Sequence, residues 1–252
     1  MAVLLNALVL SGKGINIEIR RAGLADPLDD WSHIDVNVTV GTIFSVYEKI
    51  TPIGSSVIID DFTQHGWAQA TAVYIIYASS AMLVYITSKG MHVFTYVLSL
   101  SELFLCRDKL RLPSAVTTCS NNEGNMRNYS QVIKNYDANC QQENIITGKP
   151  FSSWYIDSRV ADFHRNLIFG GIYIYPESRI YNQGKLRLMY ECKLMGFIAE
   201  KASARATNSL LSVLDIVPDK LHQRSPFYIG SSELIKKPHI NLVSTRNSSY
   251  YL

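Results

Sequence analysis

Apolar residues recur along this chain with two different periods. Near the start, Leu4, Leu8, Ile15 and Ile19 repeat at close to 3.6 residues, and Gly23 stands where such a helix would close. Gly12 and Gly14 weaken that helix from within. From residue 36 onward the period shortens, and β-branched and aromatic runs at 36–47, 72–77, 82–87, 92–97 and 102–106 predict strands. Residues 67–88 carry no charge and are long enough to cross a bilayer. The interruption Tyr77-Ala78-Ser79-Ser80 and the β-branched content instead predict two buried strands joined by a turn. A polar stretch rich in Asn and Gln follows at 114–149, with a short helix predicted at 129–136. Beyond it the pattern predicts a helix at 160–168, a strand at 172–175, a strand passing into a helix over 186–200, and short strands at 215–218 and 227–230. Alternating helices and strands of this kind predict an α/β fold of stacked layers. A boundary near Ser114 divides the chain into residues 1–114 and 115–252.

Composition adds constraints rather than detail. The 252 residues are 47% hydrophobic and 18% charged, the balance of an ordered globular protein with a sizeable core. A net charge of +3 does not argue for nucleic acid. Cys106, Cys119, Cys140 and Cys192 form no metal-ligand spacing and read as reduced thiols of a cytoplasmic protein. Three Asn-x-Ser/Thr matches, at Asn37, Asn128 and Asn247, would matter only in a secreted chain. The apolar start lacks a basic region and a clean cleavage site, so no signal peptide is expected and no membrane partner is read.

Chemistry is concentrated in a series of dense motifs between Tyr155 and Arg224. V-A-D-F-H-R-N begins at Val160, G-G-I-Y-I-Y-P at Gly170, G-K-L-R-L-M-Y-E-C at Gly184 and L-H-Q-R at Leu221. Earlier stand Asp26-Pro27-Leu28-Asp29 and Ile34-Asp35-Val36-Asn37-Val38. Taken alone, D-P-L-D is a turn with solvated aspartates. Taken in order, the motifs resemble the class 1 fructose-1,6-bisphosphatases, metal-dependent sugar phosphatases of gluconeogenesis. The resemblance runs over roughly 4–234.

That resemblance implies a layered αβαβα sugar-phosphatase fold whose N-terminal part is incomplete. Residues 1–114 would be the remnant of a metal- and phosphate-binding domain, and 115–252 a sugar-phosphate-binding α/β domain. It implies Mg²⁺ held by Asp26, the Leu28 carbonyl, Asp29 and Glu191, with Asp29 and Glu191 in catalytic roles. Hard divalent cations take oxygen ligands of this kind. Fructose 1,6-bisphosphate or a related sugar phosphate would be held by Asp29, Asp30, Trp31, Ser32, Asn122, Tyr155, Tyr173, Ile174, Tyr175 and Lys185. Tyr173 and Tyr175 alternate with Ile174, which puts both phenols on one strand face. The family often forms tetramers, so a homo-oligomer is compatible with it.

Departures from the family pattern point the other way. Asp30 and Trp31 replace a glycine and a serine of the phosphate cradle, and Trp154 replaces a phosphate-binding arginine. Arg159 stands where the family has an apolar residue. Asp30, Val73, Ala78, Asp157 and Ser203 occupy turn-glycine positions. A segment with the family's acidic cluster is missing before Asp26. Two readings therefore stand: Mg²⁺-dependent hydrolysis of fructose 1,6-bisphosphate at reduced rate, or a non-catalytic remnant that keeps the sugar-phosphate pocket. His164 and His222 read as packing residues rather than as catalytic bases.

Overall fold

The computed structural model describes residues 21–29, 31–87, 90–113, 117–142 and 148–236. The expected N-terminal helix falls almost wholly outside them. Its proposed closing glycine does not: Gly23 lies inside strand β1 (Arg21–Asp29), antiparallel to β2 (Val40–Glu48). Pairing along the β2 edge overrides the helical spacing read from isolated leucines, because strand preference is set by the neighbour rather than the local sequence. The D-P-L-D motif is accordingly the end of a strand and not a free loop.

Strands β3 (Gln69–Tyr77), β4 (Ala81–Thr87), β5 (Gly90–Val97) and β6 (Glu102–Arg107) continue from β2 as an antiparallel meander, giving a sheet of order β1-β2-β3-β4-β5-β6. The chargeless run around Tyr77 is the β3–β4 hairpin. No helix among the described residues is long and apolar enough to cross a membrane.

A second, mixed sheet follows. It is built from β7 (Thr118–Asn121), β8 (Ser152–Ser153), β9 (Ile172–Tyr175), β11 (Ala204–Thr207) and β13 (Phe227–Ser231), in the order β11-β13-β9-β7-β8. A small pair, β10 (Leu186–Arg187) with β12 (Arg224–Ser225), sits beside it. The helices are α1 (Gln131–Cys140), α2 (Arg159–Phe169), α3 (Lys193–Lys201) and α4 (Ser232–Lys236). The strand expected at 215–218 is absent; Asp215 ends a turn and its neighbours are irregular up to the Pro218 break.

The layers follow from which faces are apolar. Ile43, Tyr74, Ile76, Val84 and Met91 of the first sheet meet Val160, Phe163, Leu194 and Phe197 of α2 and α3, which in turn meet Tyr173, Phe227 and Ile229 of the second sheet. The opposite face of the second sheet, with Ile172, Ile174 and Tyr228, is covered by Ile133 and Tyr136 of α1 and Leu234 of α4. Sheet, helix pair, sheet and outer helices are thus stacked in sequence, the mixed α/β architecture expected. The central strands β2, β3, β7, β9 and β13 are buried on both faces, which explains their continuous apolar runs in place of strict alternation. On the outer side of the first sheet, Phe44, Val73, Ile75 and Leu83 form a third apolar cluster.

Candidate functional site

The site begins with an irregularity in β1. Asp26 pairs with Ile43 and Asp29 with Gly41, so three steps along β1 match two along β2. Side chains three apart on a regular strand point to opposite faces; one extra residue returns the second to the same face. Pro27, which has no N–H to give the ladder, takes the bulge, and its carbonyl accepts a 2.8 Å hydrogen bond from Thr42 Oγ1. Asp26 is half-buried and Asp29 fully buried.

Glu191 reaches the same place from the second half of the chain. It sits in a single π turn, Leu188–Cys192, wedged between β10 and α3. Such a turn re-aims one side chain relative to an α-helix and recurs at functional sites. Its Oε2 accepts a hydrogen bond from the Arg187 backbone N–H. Carboxylate oxygens of Asp26, Asp29 and Glu191 lie within 4.8 Å of one another. Three carboxylates this close need positive charge, and oxygen-only ligands suit a hard divalent cation. The donor set therefore fits a metal ion. Half-buried Leu28 lies between the two aspartates, so its carbonyl is near the cluster by sequence.

Arg159 meets the cluster from a third element, at the first residue of α2. Its Nη2 donates to Asp29 Oδ1, and its Nη1 lies 2.6 Å from Glu191 Oε2. The sequence marks this arginine only as a departure from an apolar position; nothing in its spacing foretells the ion pairs. Helix α2 comes this close because Gly41 lacks a side chain: a Cβ there would stand 2.8 Å from Val160 Cγ2. The same helix start is tied down by buried Asp162, whose carboxylate accepts from the Ile156 N–H and pairs with Arg165 at 2.9 Å.

A second set of polar side chains gathers around Tyr155 and makes a candidate pocket. Asn122 Nδ2 donates to Tyr155 Oη at 3.4 Å, and the Tyr155 hydroxyl donates to Asp157 Oδ1. Burial and that carboxylate push the Tyr155 phenol far above its ordinary pKa. Asp157 faces His33 Nε2 at 3.7 Å, which joins the 3-10 turn Trp31–Val36 to the pocket. Exposed Lys185 lies with its Nζ 5.8 Å from the Tyr175 ring centre. Burial opposes its charge, but the Tyr175 phenol and the Asp157 carboxylate outweigh it and raise its pKa. Lys185 is fixed by Gly184, at φ +79, where a Cβ would meet the Ser225–Pro226 backbone at 2.3–2.4 Å.

The expected residues are not all brought together. Asp26, Asp29 and Glu191 form the cluster; Asn122, Tyr155, Tyr175 and Lys185 form the pocket. Tyr173 shares a face with Tyr175, ring centres 6.1 Å apart; both are buried in the main core, Tyr173 the more deeply. Ile174 points to the other face of the sheet, into the core under α1. Ser32 is exposed in the 3-10 turn, and Asp30 and the Trp31 side chain lie outside the described residues. Asp157, a pocket residue here, was read only as a lost glycine. It does hold a left-handed backbone (φ 64), as does Ser203 (φ 66), whereas Val73 is an ordinary strand residue.

His164 packs against Tyr74, while His222 is exposed beside Tyr190. His164 Nδ1 is 2.7 Å from Tyr74 Oη. Burial, with the charge of Arg107, lowers its pKa to about 4. Trp154 is half-exposed beneath the Arg165 guanidinium, 5.3 Å from the ring centre.

Comparison with known proteins agrees with this geometry. The family model described as fructose-1-6-bisphosphatase, N-terminal domain, matches residues 22–108. The one described as fructose-1-6-bisphosphatase, C-terminal domain, matches residues 112–241. Among solved structures, the fold is similar to apo fructose-1,6-bisphosphatase of Leishmania major, with 32% identity and a TM-score of 0.79 over 86% of this chain and 70% of that one.

Proposed function

The chain belongs to the fructose-1,6-bisphosphatase family, and on that premise we propose that it binds fructose 1,6-bisphosphate and hydrolyses it slowly with Mg²⁺. The observation that carries this reading is the convergence of Asp26, Asp29 and Glu191 beside a pocket holding Lys185 and Tyr175. In this reading residues 1–114 supply the two aspartates and 115–252 hold the sugar phosphate, with Glu191 closing the site between them. A bound Mg²⁺, held by the three carboxylates and the Leu28 carbonyl, would neutralise phosphoryl oxygens and lower the pKa of a water.

The protein's own groups do the rest. The Lys185 ammonium, kept charged by Tyr175 and Asp157, meets a phosphate dianion with a point charge. Tyr175 and Tyr155 offer hydroxyl donors, and Asn122 an amide, to phosphate or sugar oxygens. Tyr173 contributes by supporting the Tyr175 ring from within the core. Turnover is slow because a carboxylate and an indole stand at positions 30 and 31 of the phosphate cradle, and an indole at Trp154. The same substitutions favour a second reading, a sugar-phosphate-binding protein without turnover.

Two measurements on the full chain separate these readings. Isothermal titration with fructose 1,6-bisphosphate should show binding that Lys185→Ala weakens about tenfold or more, the loss of one charge-assisted contact. Phosphate release should be slow and abolished by a chelator. Binding without release selects the second reading. Absence of binding, or binding indifferent to Lys185, sinks both.

A further inference from the structure

We infer that Arg159 is an internal cation of the carboxylate cluster, and that its guanidinium competes with a divalent metal for Asp29 and Glu191. The inference rests on the metal reading given above. One guanidinium spans two carboxylates from opposite halves of the chain: Nη2 donates to Asp29 Oδ1, and Nη1 stands 2.6 Å from Glu191 Oε2. Both are oxygens a metal would take. The Asp29 side chain is completely buried, and those of Arg159 and Glu191 are each 10% exposed. A fork with fixed donor directions and a permanent charge suits such a place better than any other side chain.

The position of Arg159 makes the pairing specific. It is the first residue of α2, where a helix disfavours positive charge and favours negative. Nothing in the helix itself calls for a cation there; two buried carboxylates do. Nor can the helix start draw back from the cluster, because α2 is pressed onto β2 at Gly41 and its start is held by Asp162. A metal entering the cluster must therefore either displace two charge-assisted hydrogen bonds or lie against a fixed positive charge. Asp26, half-buried at the bulge, is the most exposed carboxylate of the three. The chain thus carries part of the cluster's neutralising charge covalently, and on this inference its fold holds without metal.

Mn²⁺ binding read by electron paramagnetic resonance tests this without reference to activity. The wild-type chain should bind Mn²⁺ only in the millimolar range, and Arg159→Leu should bind about 100-fold more tightly, two charge-assisted hydrogen bonds no longer having to be broken. Arg159→Lys, which keeps a positive charge, should stay near the wild type. The melting temperature of wild type should be the same with EDTA or Mn²⁺, while that of Arg159→Leu should fall in EDTA and recover with Mn²⁺. Arg159→Gln serves the same comparison if the leucine variant does not fold. Micromolar Mn²⁺ binding by the wild type, or equal binding by wild type and variants, overturns the inference and leaves the metal reading standing. Failure of every variant to bind Mn²⁺ overturns both.

Discussion

The sign of a stability change separates a carboxylate cluster awaiting metal from one already paired with an internal cation. Consider Asp29→Asn, measured in EDTA. If Asp26, Asp29 and Glu191 only repelled one another, removing one charge would stabilise the chain. Asp29 is instead buried against Arg159. Removing one partner of a buried ion pair costs about 3–5 kcal/mol, and Glu191 still holds Nη1, so we expect about 2–3 kcal/mol. Asp26→Asn should do the reverse. Unit charges 4.8 Å apart, the outer limit of this cluster, repel by about 3.5 kcal/mol at an effective dielectric of 20 and about 0.9 in bulk water. Asp26 is half-buried, and attraction to Arg159 offsets part of the repulsion, so a gain of about 1 kcal/mol is expected. One kcal/mol moves the melting point of a chain of this size by about 2–4 °C. Calorimetric melts should therefore place Asp29→Asn about 4–12 °C below wild type and Asp26→Asn about 2–4 °C above it. High salt should leave the first shift intact, since buried pairs are little screened. An Asp29→Asn chain as stable as wild type, or more so, refutes the pairing and the reasoning built on it.

Three further outcomes follow from other parts of the fold. Ser203 comes directly after the Ala202 C-cap of α3 with φ 66, the position where helices favour glycine, so Ser203→Gly should stabilise by about 1 kcal/mol in urea melts. Gly184→Ala places a Cβ 2.3 Å from Ser225 backbone at φ +79. It should cost about 3 kcal/mol or more, and weaken fructose 1,6-bisphosphate binding by shifting Lys185. His164 is neutral when folded, its pKa lowered to about 4 from an ordinary 6.5, so the unfolded chain binds the extra proton between those values. Its stabilising effect is complete above pH 6.5 and is lost as pH falls toward 4, about 3 kcal/mol in all. His164→Gln should flatten that slope, and an unchanged slope would show that another group sets it.

Much of the fold was legible because its central strands are buried on both faces. Runs such as 72–77 and 82–87 need no knowledge of their partners to be recognised, and the break at Ala78-Ser79-Ser80 marks the hairpin. β1 was not legible for the opposite reason. Arg21–Asp29 contains a glycine, a proline and three charged residues, and only its pairing with β2 makes it a strand. The 215–218 segment fails from the other side: it has apolar Ile216 and Val217, but no neighbouring strand offers an edge to it. Local preference decides where tertiary pairing is uniform, and loses where pairing is supplied by one neighbour.

For the site the same distinction works on single side chains. Motif order was enough to bring Asp26, Asp29 and Glu191 together, because their places are set by backbone features, a bulge and a π turn, that the motifs carry with them. Direction was harder. Alternation puts Tyr173 and Tyr175 on one face, but it cannot say that this face belongs to the main core, in which both are buried. Arg159 was the least legible of all, since a cation at a helix start is unfavourable alone and becomes favourable only where two buried carboxylates from distant segments meet it. This residue, wrong for its own helix and right for its surroundings, is one that the sequence resemblance marks only as a departure from an apolar position. The departure lies on the oxygens that a metal would need. In the proposed reading, the residues at the cradle positions and the internal cation act in one direction: each lowers the affinity of the site for the charged groups of catalysis, while Lys185, Tyr175 and Tyr155 would still hold a sugar phosphate.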